Sequence, residues 1–475
     1  MVHLLDNHDV MKQRDHAYRW CLVFAAAVCA GCAGSASPPM PAGRPVSGQT
    51  AQLVQSIADD VARFRGWEFA EPVPMRILHR DRMQAVIEHE IAIDYPASRL
   101  QHVEAGLRMV GLMPPDSDLK QTVVDVYGEA IGGFYDPQTK TFYVIADEDE
   151  LENTFINRII IAHELCHALD DQQFDLEAMW EGRDPTEEAE AVYASVAEGS
   201  AMAVTVQFAI KDGVRAVQGG EDLMAELGDE ALAEADAESL LAAPPYIQTM
   251  LAHYMCGTWL VMRGQSWMMR LTFGAAYVPH DVRRLMTDPP RSTEQVLHQE
   301  KYWQSHERDE PVRIDDDVVG GLLAGAPWQP VHVDTYGELQ CAVLTDDSRP
   351  QSVEELTLKI LPQQWTTAAA TGWGGDRFYL LSRRGNVNGA NSFMGLWITA
   401  WDTPEDREEF VAAMEWNCPD PNRTLTRLGD RAAVWFYGFD DAARQALEQK
   451  LAQTQNLFTC DGQPWSPVID HANDN

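Results

Sequence analysis

The stretch NRIIIAHELCHALDDQQ, residues 157–173, predicts a helix that is strongly apolar at its start and that carries an HExxH pattern at its centre. Residues i and i+4 share one helical face, so the imidazoles of His163 and His167 can reach a single ion. Glu164 follows the first histidine and can hydrogen-bond a water on that ion and take its proton. The pattern therefore predicts one Zn²⁺ per chain and a hydrolytic site.

A zinc site of this kind needs a third protein ligand besides its water. The next predicted helix, which begins at Asp184, offers these candidates: Glu187, Glu188, Glu190 and Glu198. The first two lie in the first turn, where a carboxylate offsets the helix dipole. Glu198 is favoured over Glu190, because small residues surround it and would let two helices approach closely. An antiparallel return of the chain also brings a residue nearly four turns into this helix opposite the two histidines.

Asp171 follows His167 by four residues and lies on the same helical face. Ligand histidines usually donate their second ring N–H to a carboxylate, so Asp171 is the candidate partner. The alternative for Asp171 is a surface charge.

The N-terminal 50 residues have the features of a targeting sequence followed by a linker. The apolar run WCLVFAAAVCA, residues 20–30, is shorter than the roughly 20 residues that span a membrane, so residues 1–31 indicate a signal peptide. Small residues before Cys32 resemble a bacterial lipobox and predict lipidation of Cys32; the alternative is an ordinary secretory signal. Residues 32–50 predict a flexible tether. We therefore expect an exported protein of the cell envelope, in the periplasm or at the cell surface, that is anchored to the membrane through its N-terminal lipid only.

The composition excludes one class of partner and limits the disulfides. With 73 acidic and 36 basic residues the formal net charge of the 475-residue chain is −37, which repels phosphate backbones and argues against nucleic acid. The five cysteines that follow the predicted signal sequence include no CxxC pair, which argues against a cysteine-zinc site. Export permits a disulfide, and Cys418 and Cys460, which both flank turns, are the candidate pair.

The remaining sequence predicts an α+β fold. GFYDPQTKTFYVI, residues 133–145, predicts a β-hairpin with Asp136 in the first position of a type I turn. From residue 312 short β-like runs alternate with two helices that start at Thr403 and Asp440. These patterns predict an α-rich metallopeptidase domain over residues 51–311, with a hairpin before the active-site helix, and a C-terminal α+β accessory domain over residues 312–475.

HELCHALDDQQF, followed by AVYASVAEGSA, resembles a family of uncharacterised bacterial and archaeal zinc metallopeptidases, whose motif runs HEL-x-HALQDQ-x-F with an EG-[DES]-A element one helix later. RGW, PVPMRIL and DPPRSTEQVLHQEKY strengthen the resemblance, which spans roughly residues 60–440. Asp170 stands where the family usually has Gln, and Cys166 where it has Thr or Val. The resemblance implies a zinc peptidase and names no substrate.

The arrangement is also similar to the gluzincins, in which two histidines of HExxH and a downstream Glu hold zinc. That similarity implies that Tyr254, in AHYMCG, could stabilise an oxyanion. The alternative is a core tyrosine whose hydroxyl is satisfied. By the same analogy, the hairpin supplies an edge strand to which an extended peptide adds.

Two functions remain open on the sequence. The first is an exported, lipid-anchored zinc metallopeptidase that hydrolyses peptides or proteins with Glu164 as general base. The second is a non-catalytic envelope lipoprotein that binds protein partners and has a structural or vestigial zinc site.

Overall fold

The computed structural model describes residues 40–46, 48–94, 97–130, 132–146, 151, 153–179, 185–219, 239–263, 279–306, 308–384 and 393–468. The predicted signal peptide and the predicted lipidation at Cys32 lie outside these residues, as does Asp184. The helix predicted to begin at Asp184 begins at Glu187 instead, after Thr186, whose hydroxyl accepts from the N–H of Ala189. Within the described ranges, no helix combines the length and the apolar character needed to cross a membrane.

The described residues form helices and strands in the following order along the chain. The helices are α1 Gly48–Arg65, α2 Met83–Asp94, α3 Ala97–Val110, α4 Leu119–Ala130, α5 Phe155–Phe174, α6 Glu187–Gly219, α7 Pro245–Gln248, α8 Met250–Val261, α9 Pro279–Thr287, α10 Thr293–Leu297, α11 Glu300–Trp303, α12 Asp316–Leu322, α13 Gly337–Thr345, α14 Val353–Thr357, α15 Pro404–Asn417 and α16 Asp441–Leu451. The strands are β1 Arg44–Pro45, β2 Met75–Leu78, β3 Gly133–Asp136, β4 Thr141–Ile145, β5 Arg313–Ile314, β6 Trp328–Asp334, β7 Trp373–Arg383, β8 Met394–Trp401, β9 Arg423–Leu428, β10 Ala432–Tyr437, β11 Phe458–Cys460 and β12 Gln463–Pro464.

The first sheet has the strand order β1-β2-β4-β3. Strands β3 and β4 form the predicted hairpin and pair antiparallel, whereas β2 and β4 are parallel. Asp136 holds the turn, because its carboxylate accepts from the backbone N–H of Gln138 at 2.8 Å and from the hydroxyl of Thr139 at 2.6 Å. The hairpin prediction is confirmed, and β3 lies at the edge of the sheet, beside α5.

The predicted tether is folded where the structure describes it. Arg44 pairs with Ile77 in the first sheet, and α1 begins at Gly48. Gly43 adopts φ of +57°, and a Cβ there would lie 3.1 Å from the carbonyl oxygen of Ile77. Where the structure describes the predicted tether, residues 44–45 therefore pair with the sheet edge and residues 48–50 form the start of α1.

Three helices form the centre of the first core. Helix α5 starts after Thr154, whose hydroxyl accepts from the N–H of Asn157 at 3.2 Å, and it ends at Phe174, followed by Asp175 with φ of 53°. The 33-residue helix α6 starts after Thr186, which accepts from the N–H of Ala189 at 3.2 Å. Helices α5 and α8 both pack on α6. Because apolar side chains of all three form one cluster, α6 holds the other two in place.

The C-terminal part contains a five-stranded antiparallel sheet with the order β6-β7-β8-β10-β9. The two predicted helix starts are confirmed: Thr403 caps α15 in a capping box with Asp406, and Asp440 caps α16. Alternate residues of β7 face different cores, with Phe378 in one cluster and Tyr379 in another.

The predicted boundary at residue 312 crosses a shared core. Trp373 and Trp397 of the second sheet belong to the same apolar cluster as Leu107 and Tyr246 of the N-terminal part. The backbone N–H of Glu188, in the first turn of α6, also donates to the carbonyl of Thr335 at 2.9 Å. The second sheet therefore packs directly on the helices that carry the site.

The predicted disulfide between Cys418 and Cys460 is wrong, because both thiols are free. Cys418 packs on the cluster that contains Phe378, and its Sγ donates to the carbonyl of Leu344 at 3.6 Å. Cys460 packs on the cluster that contains Tyr379 and donates to the carbonyl of Glu310 at 3.2 Å. The two cysteines thus belong to different cores, on opposite faces of one sheet.

Candidate metal centre

Three side chains converge between α5 and α6. Nε2 of His163 lies 3.0 Å from Oε2 of Glu198, Nε2 of His167 lies 3.5 Å from the same oxygen, and the two nitrogens are 3.1 Å apart. The ligand atoms of these three side chains lie close enough together to hold one metal ion. The structure therefore brings together all three predicted ligands.

Glu190, the alternative third ligand, lies elsewhere. Its carboxylate is 3.6 Å from the guanidinium of Arg99, and it does not belong to the converging group. The two remaining candidates are also engaged outside the centre, since Glu187 accepts from the hydroxyl of Tyr246 and Glu188 accepts from the N–H of Thr293.

Burial and mutual charge set the protonation of these groups. Burial alone would raise the pKa of Glu198, but the two histidines lower it to about 2. Burial lowers the pKa of His163. Burial also opposes a charge on His167, but Glu198 and Glu164 raise the pKa of His167 above its ordinary value. Glu198 is therefore a carboxylate at neutral pH, as a metal ligand must be.

The lone pairs of His163 and Glu198 face each other in a way that suits a bound cation. The hydroxyl of Thr205 donates to the carbonyl of Ala201 at 2.9 Å, so it accepts from Nδ1 of His163 at 3.2 Å. Nε2 of His163 then carries a lone pair and faces an ionised carboxylate oxygen. Two acceptors at 3.0 Å repel each other unless a cation lies between them. Two imidazole nitrogens and one carboxylate oxygen are a donor set of catalytic zinc sites.

Glu164 lies beside the centre with one free oxygen. It is 7% exposed, and its Oε2 has no hydrogen-bond partner among the described residues. The backbone N–H of Tyr135, in edge strand β3, donates to its carboxylate. Burial raises the pKa of Glu164 to about 8, against the opposing charge of His167. A carboxylate with a raised pKa and an open oxygen is suited to general acid–base chemistry.

Tyr254 reaches the centre from α8. Its ring stacks on that of His163 with centroids 6.0 Å apart and an interplanar angle of 28°. Helix α8 approaches α6 closely because Gly199 and Gly257 meet where the helices cross, and a Cβ on either one would overlap the backbone of the other helix. The small residues around Glu198 were predicted to admit α5, but Gly199 instead admits α8.

Asp171 has partners other than the histidines. It accepts from the hydroxyl of Tyr135 at 2.7 Å, from Nζ of Lys140 at 2.9 Å and from the N–H of Leu176 at 3.0 Å. Among the hydrogen bonds of the described residues, none joins Asp171 to His163 or His167. Asp171 therefore fastens the hairpin to the end of α5, a role that the i+4 spacing did not reveal.

A buried ion pair explains the aspartate at position 170. The guanidinium of Arg65 is fully buried, and its Nε donates to Asp170 Oδ1 at 2.9 Å. The hydroxyl of Ser200 donates to the other carboxylate oxygen at 2.8 Å. The pair ties α1, α5 and α6 together directly behind the ligands. The RGW motif, whose first residue is Arg65, was the one sequence signal for it.

The comparisons with known proteins cover another part of the chain. Residues 329–456 match a family model described as a domain of unknown function (DUF8575). No curated protein and no solved structure matches the chain. The matched segment contains most of the second sheet and none of the metal-centre residues. The family match therefore gives no information on the chemistry of the centre.

Proposed function

We propose that the chain is a zinc-dependent peptidase in which His163, His167 and Glu198 hold one Zn²⁺. The observation that carries the proposal is the convergence of two Nε2 atoms and one carboxylate oxygen beside a buried glutamate with an open oxygen. Zn²⁺ in such a site polarises a carbonyl and lowers the pKa of its water.

The protein groups supply the proton transfers. Glu164 takes a proton from the attacking water and delivers it to the leaving amine, which its open oxygen beside the centre supports. Tyr254, whose ring covers that of His163, is the group proposed to stabilise the oxyanion.

Strand β3 supports a peptide as the substrate. It is at the edge of the first sheet, and the N–H of Tyr135 already points to Glu164. An extended peptide that adds to this edge by main-chain hydrogen bonds would pass the general base. A peptide or protein substrate is therefore proposed, and the net charge of −37 argues against nucleic acid. The N-terminal sequence supports export and lipid anchoring at Cys32.

The test is the variant Glu164→Gln, with Glu190→Gln as its matched control on a glutamate outside the centre. We expect Glu164→Gln to bind one equivalent of zinc and to lose cleavage of casein or a peptide library, because only the proton acceptor is removed. Glu190→Gln should keep both properties. Full activity of Glu164→Gln would overturn the mechanism.

A second function is supported by the burial of the centre. The side chains of His163, His167 and Glu198 are 12%, 1% and 3% exposed, and structural zinc sites are closed. This favours a non-catalytic envelope lipoprotein that binds protein partners. One equivalent of zinc without hydrolysis of any peptide library would support this second function.

A further inference from the structure

We propose that Thr205 is a positioning residue of the metal centre, which fixes the ring tautomer of His163. The inference rests on the proposed zinc site. Thr205 follows Glu198 by seven residues, almost two helical turns, so both side chains leave α6 on the same face. Oγ1 of Thr205 lies 3.2 Å from Nδ1 of His163, and Oε2 of Glu198 lies 3.0 Å from Nε2. One face of α6 therefore holds both nitrogens of a single imidazole.

The direction of the hydrogen bond follows from the single proton of the hydroxyl. Thr205 is 5% exposed, and its Oγ1 lies 2.9 Å from the carbonyl of Ala201, one turn earlier in the helix. A carbonyl can only accept, so the hydroxyl donates there and accepts from His163. Nδ1 of His163 therefore carries the ring proton, and Nε2 presents its lone pair to the ion.

The other tautomer would block the centre. A proton on Nε2 of His163 would point at Oε2 of Glu198, at hydrogen-bond distance and onto a carboxylate. That bond would occupy two of the three ligand atoms at once. By holding the proton on Nδ1, Thr205 prevents the two ligands from satisfying each other.

His167 lacks an equivalent partner. Its Nδ1 is buried and has no hydrogen bond among the described residues. Among the described residues, a side chain therefore fixes the ring tautomer of His163 but not that of His167. Partners of metal-bound histidines usually contribute 10–100-fold to metal affinity.

The experiment compares Thr205→Val, which has the same shape without the hydroxyl, with Thr205→Ser, which keeps the hydroxyl. Zinc dissociation constants are measured by competition with a chromophoric chelator. We expect an affinity about 10–100-fold weaker for Thr205→Val and close to wild type for Thr205→Ser. Thr345→Val is the control, because Thr345 is also buried and also donates to the carbonyl one turn earlier, at 2.9 Å.

A second measurement does not depend on the Val variant folding. The ¹⁵N chemical shifts of the His163 ring in the zinc-free wild-type protein should report a proton on Nδ1, and those of Thr205→Val a proton on Nε2. A wild-type proton on Nε2, or unchanged zinc affinity in Thr205→Val, would overturn the inference. Wild-type protein that binds zinc but cleaves nothing would overturn the peptidase function alone. Wild-type protein that binds no zinc would overturn both.

Discussion

The hydroxyl of Tyr135 donates to the carboxylate of Asp171 at 2.7 Å, while the backbone N–H of the same tyrosine donates to Glu164. A single residue of edge strand β3 thus contacts both the proposed general base and the end of its helix. The distance between the sheet edge and Glu164 is set by this double attachment. The proposed peptide-binding edge and the proposed base are therefore joined through Tyr135.

Removal of Asp171 should weaken this attachment and leave the ligands alone. We expect Asp171→Asn to lower the free energy of unfolding by about 1–3 kcal/mol, because it removes the charge that Tyr135 and Lys140 share. Zinc affinity should stay within a few-fold of wild type. Chemical denaturation and chelator competition provide the two measurements. A 10–100-fold loss of zinc affinity at unchanged stability would instead show that Asp171 orients a histidine, as its spacing suggested.

The assignment of Glu198 as the third ligand can be tested by substituting two glutamates of α6 in turn. We expect Glu198→Ala to lose stoichiometric zinc and the zinc-dependent part of the stability, since metal binding is coupled to folding. Glu190→Ala, which removes a partner of Arg99 outside the centre, should retain both. Metal analysis after dialysis and thermal unfolding with and without zinc distinguish the variants. The reverse result would place the ligand two turns earlier.

The crossing of α6 and α8 can be tested at Gly257. A Cβ on Gly257 would overlap the carbonyl of Ser195, so the helices must separate in Gly257→Ala. We expect a loss of about 1–3 kcal/mol in the free energy of unfolding, and a loss of activity because Tyr254 moves with α8. Gly320→Ala, in helix α12 with open space around its Cβ, is the control and should be neutral or slightly stabilising. An equally stable and active Gly257→Ala would show that the close crossing does not position Tyr254.

Local chemistry made part of this structure predictable. The i, i+4 spacing places His163 and His167 on one face of any helix, and Asp136 holds a turn through its own carboxylate. The cap at Thr403 is similarly short in range. In each case the interacting residues are only a few positions apart in the sequence, so a local sequence pattern is enough to predict the interaction.

The remaining features depend on which elements meet in three dimensions. Asp170 is bonded to Arg65, 105 residues away, and His163 to Thr205, 42 residues away. The helix that faces Gly199 is α8, and its contact through Gly257 joins residues 58 positions apart, which no local pattern links. Glu198 was an exception, since an antiparallel return limits which turn of α6 lies opposite the histidines.

The pH dependence of stability should depend in part on His298, outside the metal centre. Its Nε2 lies 2.9 Å from Oε1 of Glu338, which is fully buried. Burial by itself would lower the pKa of His298, but the hydrogen bond and charge of Glu338 raise it above the ordinary 6.5, with Glu300 assisting and Lys301 opposing. A folded-state pKa above the unfolded value means that the ion pair contributes fully below pH 6.5. Its contribution is lost as the pH rises through the raised pKa.

We therefore expect the free energy of unfolding to fall as the pH rises above about 6.5 and through the raised pKa of His298, which is one source of the slope. His298→Gln should remove that part of the slope and cost about 1–3 kcal/mol at the acidic end, where a hydrogen bond between charged groups is lost. His280→Gln is the control, because the side chain of His280 is 83% exposed, and it should leave the slope unchanged. Urea unfolding of the three proteins across this range provides the measurement. An identical slope in His298→Gln and wild type would show that His298 does not titrate against Glu338 in the folded protein.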